Sequence, residues 1–179
     1  MKLLIASDIH GSSRYCAELL EAYGRERADR MLLLGDILYH GPRNDLPEGY
    51  APKEVIEALN SRRNDILCVR GNCDTEVDQM VLAFPVMADY ALLFAEGRRI
   101  YATHGHIYHP DNLPPLAEGD VLLYGHTHIP AWETRNGILC LNPGSVSIPK
   151  NGSARGYMTL SGGVFEWKTL DGTVYHTEG

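Results

Sequence analysis

The chain opens with an apolar run, Lys2 to Ser7, and then changes period. Cys16, Leu19, Leu20 and Tyr23 fall at helical spacing, and Ser12 or Ser13 can cap a helix that runs to about Arg27. Arg30 to Leu34 is a second strand-like run, followed by a loop punctuated by Gly41, Pro42, Pro47, Gly49 and Pro52. Val55, Ile56 and Leu59 predict a helix over about Lys53 to Leu59, Ile66 to Val69 a third strand, and Thr75 to Leu82 a short helix. This β-α-β-α-β order predicts a parallel sheet with covered faces. The second half is strand-rich. Met87 to Ala95 and Arg98 to Thr103 form a hairpin about Glu96-Gly97; Val121 to Tyr124 is a lone apolar strand, and Ala131 to Leu141 turns at Asn136-Gly137. Tyr157 to Leu160, Val164 to Leu170 and Thr173 to His176 predict an antiparallel meander. There is no repeat or linker, so the pattern predicts one domain over 1–179: two sheets packed face to face, with helices outside.

Composition bounds what that domain can do. A chain of 179 residues with 44% hydrophobic and 22% charged residues supports one well-buried core. Its net charge of −7 opposes general binding to nucleic acid or anionic membrane, so an anionic substrate needs local positive charge. No apolar run approaches the roughly 18 residues of a membrane span. The opening MKLLIASDIH is too short in its apolar stretch for a secretory signal, which leads us to expect a cytoplasmic protein. Cys16, Cys68, Cys73 and Cys140 are scattered, which argues against a disulfide framework and against a thiolate zinc site.

The chemistry lies at the strand ends. KLLIAS is followed by Asp8 and His10, RMLLLG by Asp36, ILCVRG by Asn72, RRIYAT by His104, and DVLLYG by His126 and His128. In α/β sheets, sites form outside the carboxyl ends of the strands, so these residues are expected to converge. An extended backbone would turn both members of Asp8-x-His10, and of His126-x-His128, to one side as chelating pairs. Gly35, Gly71 and Gly125 each precede a candidate ligand, where the backbone must turn sharply or approach an ion closely. Two carboxylates, four imidazoles and one amide exceed the needs of a tetrahedral ion but suit two ions sharing a carboxylate. Two divalent ions against two carboxylates leave the pocket at about +2, the local charge a phosphate ester needs.

These motifs, DIH at 8–10, GD at 35–36, GNCD at 71–74, THGH at 103–106 and GHTH at 125–128, come in the order and spacing that resemble the calcineurin-like metallophosphoesterases. The small single-domain phosphodiesterases of that superfamily are most similar, over Met1 to about Pro149 and including NPGS at 142–145. The resemblance implies an α/β (α+β) sandwich of two mixed β-sheets flanked by helices. It also implies two metals, with Asp8, His10 and His128 on one, Asn72, His104 and His126 on the other, and Asp36 bridging. A hydroxide between the ions would attack phosphorus, with Asp36, Asn72 and His104 as the catalytic set. Mn²⁺ is the expected metal; Fe, Co, Ni and Zn also suit mixed nitrogen and oxygen ligands without thiolate.

The chain departs from the superfamily at RGNCD. Its usual GNH histidine is Cys73 here, and the aspartate that pairs with it is Tyr39. Losing both together implies a site built without that acid, suited to easily departing aryl or nucleotidyl groups. Cys73 is read as a small group shaping the pocket, and Asp74 as a helix cap or a support for the ligands. His106 and His40 are either proton donors or ordinary loop histidines. Arg43, Asn44, Tyr108 and His109 lie in loops expected to line the groove, and NPGS either holds a loop near the metals or is a plain turn. The expected partner is a small phosphodiester, with a homo-oligomer open. The alternatives are a phosphomonoesterase, a nucleotide pyrophosphatase, or a non-catalytic protein-binding scaffold, as in the similarly folded retromer subunit.

Overall fold

A computed structural model describes all of residues 1–179. Strand β1 (Leu3–Ala6) alternates between two cores: Leu4 and Ala6 face the helices, Leu3 and Ile5 face the opposite sheet. Both faces are buried, which is why the strand reads as an unbroken apolar run. β2 (Arg30–Leu33) repeats the arrangement with Met31 and Leu33 on one side and Leu32 on the other. Between them α1 (Ser13–Glu26) starts where the Ser12 hydroxyl accepts the Tyr15 amide at 3.3 Å, and ends at Arg27 in the left-handed region. α2 (Pro52–Asn60) buries Val55 and Leu59 and begins with the proline the sequence reading left outside it. β3 (Ile66–Cys68) and α3 (Glu76–Val81) follow, the latter capped reciprocally by Thr75 and Asp78.

The remaining strands are β4 (Tyr90–Ala95), β5 (Arg98–Thr103), β6 (Val121–Leu123), β7 (Pro130–Arg135), β8 (Ile138–Pro143), β9 (Gly156–Ser161), β10 (Val164–Thr169) and β11 (Val174–Glu178). They do not divide by sequence halves. The C-terminal meander returns beside β1, giving one sheet ordered β11-β10-β9-β1-β2-β3 and a second ordered β4-β5-β6-β8-β7. β1, β2 and β3 are parallel, as are β5, β6 and β8, while β9 pairs antiparallel with β1 in the register Ile5↔Met158. The expected sandwich of two mixed sheets therefore forms, closed over Ile5, Leu123, Leu141, Phe165 and Trp167. The Trp167 indole donates to the Asn142 carbonyl at 2.7 Å, which satisfies the polar handle of this largest buried side chain. The helical core lies on the first sheet's outer face. The second sheet has no helix over it; Tyr108, Leu113 and Leu116 of the 105–119 loop cover Tyr101, Leu122 and Tyr124. Three parallel strands in each sheet point their carboxyl ends at one edge of the sandwich, and the candidate site lies there.

Candidate metal centre

The seven predicted ligands meet. Asp8 Oδ1 lies 3.5 Å from His10 Nε2 and 3.3 Å from His128 Nε2. His104 Nε2 lies 3.1 Å from Asn72 Oδ1 and 3.3 Å from His126 Nδ1. Asp36 stands between the groups, its Oδ2 at 3.6 Å from His10 Nε2 and 3.4 Å from His104 Nε2. The donors thus fall into two sets with one carboxylate oxygen common to both.

The backbone that brings them together differs from the extended pairs expected from the sequence. Asp8, His10, Asp36, His126 and His128 all have positive φ, between 49° and 65°. Left-handed backbone costs a non-glycine residue roughly 1–2 kcal/mol, so the chelating pairs arise from tight turns just past the strands. Main-chain bonds stabilise those turns: the Asp8 amide donates to the Gly35 carbonyl at 3.1 Å and the His10 amide to the Asp36 carbonyl at 2.9 Å. Gly71 is required by contact. A Cβ there would overlap Asp36 Oδ1 and the Asp36 amide nitrogen.

Each imidazole is oriented from behind. His10, His104 and His128 donate from Nδ1 to the carbonyls of Tyr39, Leu34 and Ile148 at 2.7, 2.7 and 2.6 Å. That fixes the tautomer and aims the Nε2 lone pair inward. Consequently the Nε2 lone pairs of His10 and His128 face each other at 3.2 Å, and Asp8 Oδ1 is buried without a hydrogen-bond donor. Lone pairs opposed in this way need a cation between them, so the donor set fits divalent ions. The carboxylates and imidazoles also shift one another's pKa values. Burial works against charge on His104, but the Asp36 carboxylate outweighs it and raises its pKa to about 9. Burial, and then the neighbouring His104, push His126 down to about 4. Burial opposes the Asp8 anion, yet the adjacent imidazoles of His10 and His128, with His104 beyond them, hold its pKa well below the usual carboxylate value.

A second ring of residues fixes the ligand loops. The Asp74 carboxylate accepts the amides of Gly71 (2.7 Å), Asp36 (2.8 Å) and Ile37 (2.9 Å). It is therefore a clamp on Asp36 and not a helix cap, a role that Thr75 fills. The Cys73 amide donates to Asp36 Oδ1 at 2.8 Å. NPGS does hold a ligand loop: the Asn142 amide donates to the Gly125 carbonyl at 2.8 Å, and the Ser145 hydroxyl to the Asp8 carbonyl at 2.9 Å.

A family model for the calcineurin-like phosphoesterase superfamily domain matches residues 1–162. The chain belongs to that superfamily. It is 51% identical over 164 residues to phosphodiesterase YfcE of Escherichia coli K12, covering 92% of this chain and 89% of the relative. The solved structure of the Escherichia coli YfcE phosphoesterase superimposes with a TM-score of 0.96 at 48% identity, covering 99% and 98% of the two chains. The probable metallophosphoesterase YsnB of Bacillus subtilis is 30% identical, over 90% of this chain and 84% of its own. Vps29 of Chaetomium thermophilum shares the fold alone, with a TM-score of 0.65 at 17% identity over 99% and 96% of the chains.

Around the centre of this phosphoesterase lies a cavity of about 370 Å³ whose wall includes Asp36, Asn72, Cys73 and His126. Arg43 and Asn44 line it as expected, and so does Lys150, which nothing in SIPKNG marks as near the ligands. Burial, and then the Asp36 carboxylate, push the Cys73 thiol up to about 12. His40 does not reach the cavity; it packs edge-on against Tyr39 and Tyr50. Tyr39 contributes its carbonyl to His10 while its side chain is exposed. His106 and His109 border a neighbouring recess that also touches His126, whereas Tyr108 packs edge-on against Tyr101 in a separate one. The His106 Nδ1 is buried without a partner, and burial followed by His104 lowers its pKa.

Proposed function

We propose that this protein is a metal-dependent phosphodiesterase, acting as one domain. In this reading Asp8, His10 and His128 hold one divalent ion, Asn72, His104 and His126 a second, and Asp36 both. The observation that carries it is the position of Asp36 Oδ2, within 3.6 Å of His10 Nε2 and 3.4 Å of His104 Nε2. The 51% identity to a named phosphodiesterase supports the same reading. When bound, two such ions acidify a water and place positive charge against the phosphoryl oxygens.

The chain's own residues then do three things. Asp36, clamped by Asp74, keeps the two ligand sets at a fixed separation. Asn72 aims Oδ1 at His104 and leaves Nδ2, which touches Cys73 Sγ at 3.3 Å, on the cavity side as a donor to a phosphoryl oxygen. The positions of Cys73 and Tyr39 supply no strong acid, so a leaving group must depart with little protonation. His106, in the neighbouring recess, is the remaining imidazole beside the ligands, and burial lowers its pKa. An aryl or nucleotidyl diester satisfies this condition better than an alkyl monoester.

Mn²⁺ is the ion we propose, and the mixed imidazole, carboxylate and amide donors accept Fe, Co, Ni and Zn as well. We place the protein in the cytoplasm: its four cysteines are unpaired and buried, and no helix is long and apolar enough to cross a membrane. The test is hydrolysis of an aryl phosphodiester and the matching monoester by metal-stripped protein, before and after Mn²⁺, with Asp36→Asn beside it. Diester turnover that needs metal and disappears with Asp36→Asn is expected. Stoichiometric metal binding without turnover of either ester would turn the assignment to a scaffold.

A further inference from the structure

Two cations beside the metal centre are not engaged within the chain. Arg43 and Lys150 line the same cavity as Asp36, Asn72 and His128. Elsewhere Arg14, Arg99, Arg135 and Lys168 are tied to carboxylates; neither cavity cation has such a partner. Both are exposed, and both sit on loops that are firmly held. The Lys150 amide donates to the carbonyl of His128 itself at 3.1 Å, and its carbonyl accepts the Ser153 hydroxyl at 2.7 Å. Arg43 lies in a turn closed by the Asn44 amide on the His40 carbonyl at 2.8 Å. The loop bearing that turn is anchored to α1 through Glu48, whose carboxylate accepts the Tyr15 hydroxyl at 2.8 Å and whose carbonyl accepts the Ser12 hydroxyl at 2.6 Å. The Lys150 loop is anchored to the same helix: Arg155 lies 4.3 Å over the Tyr15 ring and donates to the Ser147 carbonyl at 3.1 Å. The cavity has one hydrophobic residue among the eleven that line it, so it gives little to an aryl or lipid arm.

We propose that Arg43 and Lys150 form an anion subsite that binds a second phosphate group of the substrate. The natural substrate is then a phosphodiester with a further phosphate on one arm. A guanidinium fork and a flexible ammonium suit a tetrahedral dianion, and two preplaced cations lower the cost of ordering them. In a chain of net charge −7 this local charge selects anions that the surface at large repels. The inference rests on the phosphodiesterase reading for its chemistry, but not for its binding prediction.

The test compares binding of a nucleoside 3′,5′-bisphosphate and of the 5′-monophosphate to Mn²⁺-loaded protein by calorimetry. Turnover of a nucleoside 5′-(nitrophenyl phosphate) with and without a 3′-phosphate is measured alongside. A preference of about tenfold or more for the added phosphate is expected in both, the scale of one or two charge-assisted contacts. The Arg43→Ala/Lys150→Ala variant should reduce the preference below about twofold, and each single variant should remove part of it. Arg63→Ala, at the surface after α2, should retain it. A carboxylate in place of the 3′-phosphate should recover less of the gain. Equal binding of the two nucleotides by the unaltered protein, or a preference that survives the double substitution, overturns the subsite. Turnover without preference leaves a diesterase with no subsite, whereas preference in binding without turnover leaves the subsite and removes the diesterase.

Discussion

Replacing Asp74 by asparagine tests how the bridging ligand is held. The carboxylate is 1% exposed and accepts three amides: Gly71 and Asp36 on Oδ2, Ile37 on Oδ1. An asparagine has one acceptor oxygen. Placed on the Oδ2 side it keeps two bonds and sets an NH₂ against the Ile37 amide; placed the other way it opposes two amides. The first orientation therefore wins. One stranded buried donor costs about 1–3 kcal/mol, and the two surviving bonds weaken from charged to neutral by about 1 kcal/mol each. Burial, which raises the Asp74 pKa, opposes the anion, so replacing it with a neutral amide recovers part of this. The balance is a loss of about 2 kcal/mol, or roughly 4–8 °C in Tm for a chain of this size. Asp74→Ala strands all three amides and should cost about twice as much.

Stability alone would not separate a clamp from an ordinary buried group. The stranded amide belongs to Ile37, directly after Asp36, and one of the two weakened bonds is from Asp36 itself, so Mn²⁺ affinity should fall as well. Calorimetric unfolding and Mn²⁺ titration on Asp74→Asn and on Val55→Ala provide the contrast. Val55 is fully buried under the helices, and its truncation should lower Tm comparably without changing metal affinity. An Asp74→Asn protein with the Tm and Mn²⁺ affinity of the parent would refute the clamp.

Gly71→Ala should bind metal poorly in a protein that still folds, because the added methyl meets Asp36 Oδ1 and its amide; the check is metal content after dialysis beside circular dichroism. Cys73→Ser should keep substantial diesterase activity, because the contact Cys73 makes to Asp36 Oδ1 is through its backbone amide; near-total loss with metal content intact would make the sulfur chemically necessary. Glu26 carries a pH dependence. Burial opposes its anion, but Lys2, Lys168 and Tyr157 bring its pKa down to about 2 from an ordinary 4.5. Its contribution is thus full above pH 4.5 and lost as pH falls toward about 2. Glu26→Gln should lower Tm at pH 7 and flatten that acid limb in thermal melts. Stripping the metals should lower Tm by an amount that grows with the logarithm of the Mn²⁺ concentration restored, about 4 kcal/mol at a thousandfold excess over Kd.

Much of the site was legible because its signal is local. A ligand-capable residue directly after an apolar run needs only the parallel order of the runs to be placed, and both sheets supply that order. The helices were legible for similar reasons: Ser12 caps α1 as short-range chemistry dictates, and α2 departs from its expected start at Lys53 only by taking Pro52 as its first residue. What the sequence hid is long-range. The return of β9 beside β1 sets Met158 against Ile5, and no pattern within either strand announces it. Lys150 reaches the cavity only because its amide bonds to His128, across a turn whose geometry its neighbours do not encode. Asp74, just before a helix, suits either a cap or a support for the ligands, and only the fold, with three amides of other residues converging on it, decides for the support.

The conformation of the ligands was also hidden, and it bears on how the centre works. Five of the seven are left-handed, at a cost of roughly 1–2 kcal/mol each. Such strain persists only where surrounding structure over-determines it. Here the amides of Asp8, His10 and Gly11 bond to the carbonyls of Gly35, Asp36 and Ile37, prolonging the β1–β2 pairing beyond the strands. The Nδ1 anchors of three histidines and the Ser145 and Ser147 hydroxyls on the Asp8 carbonyl complete the frame. None of these bonds passes through a metal. The loops are therefore ordered by the polypeptide, and ion binding does not have to supply the energy of arranging them. That leaves more of the ions' affinity for the opposed lone pairs of His10 and His128, and it separates two quantities that often move together. Loss of a metal should remove activity and part of the stability while leaving the site's geometry in place, whereas loss of a frame residue such as Asp74 should disturb all three.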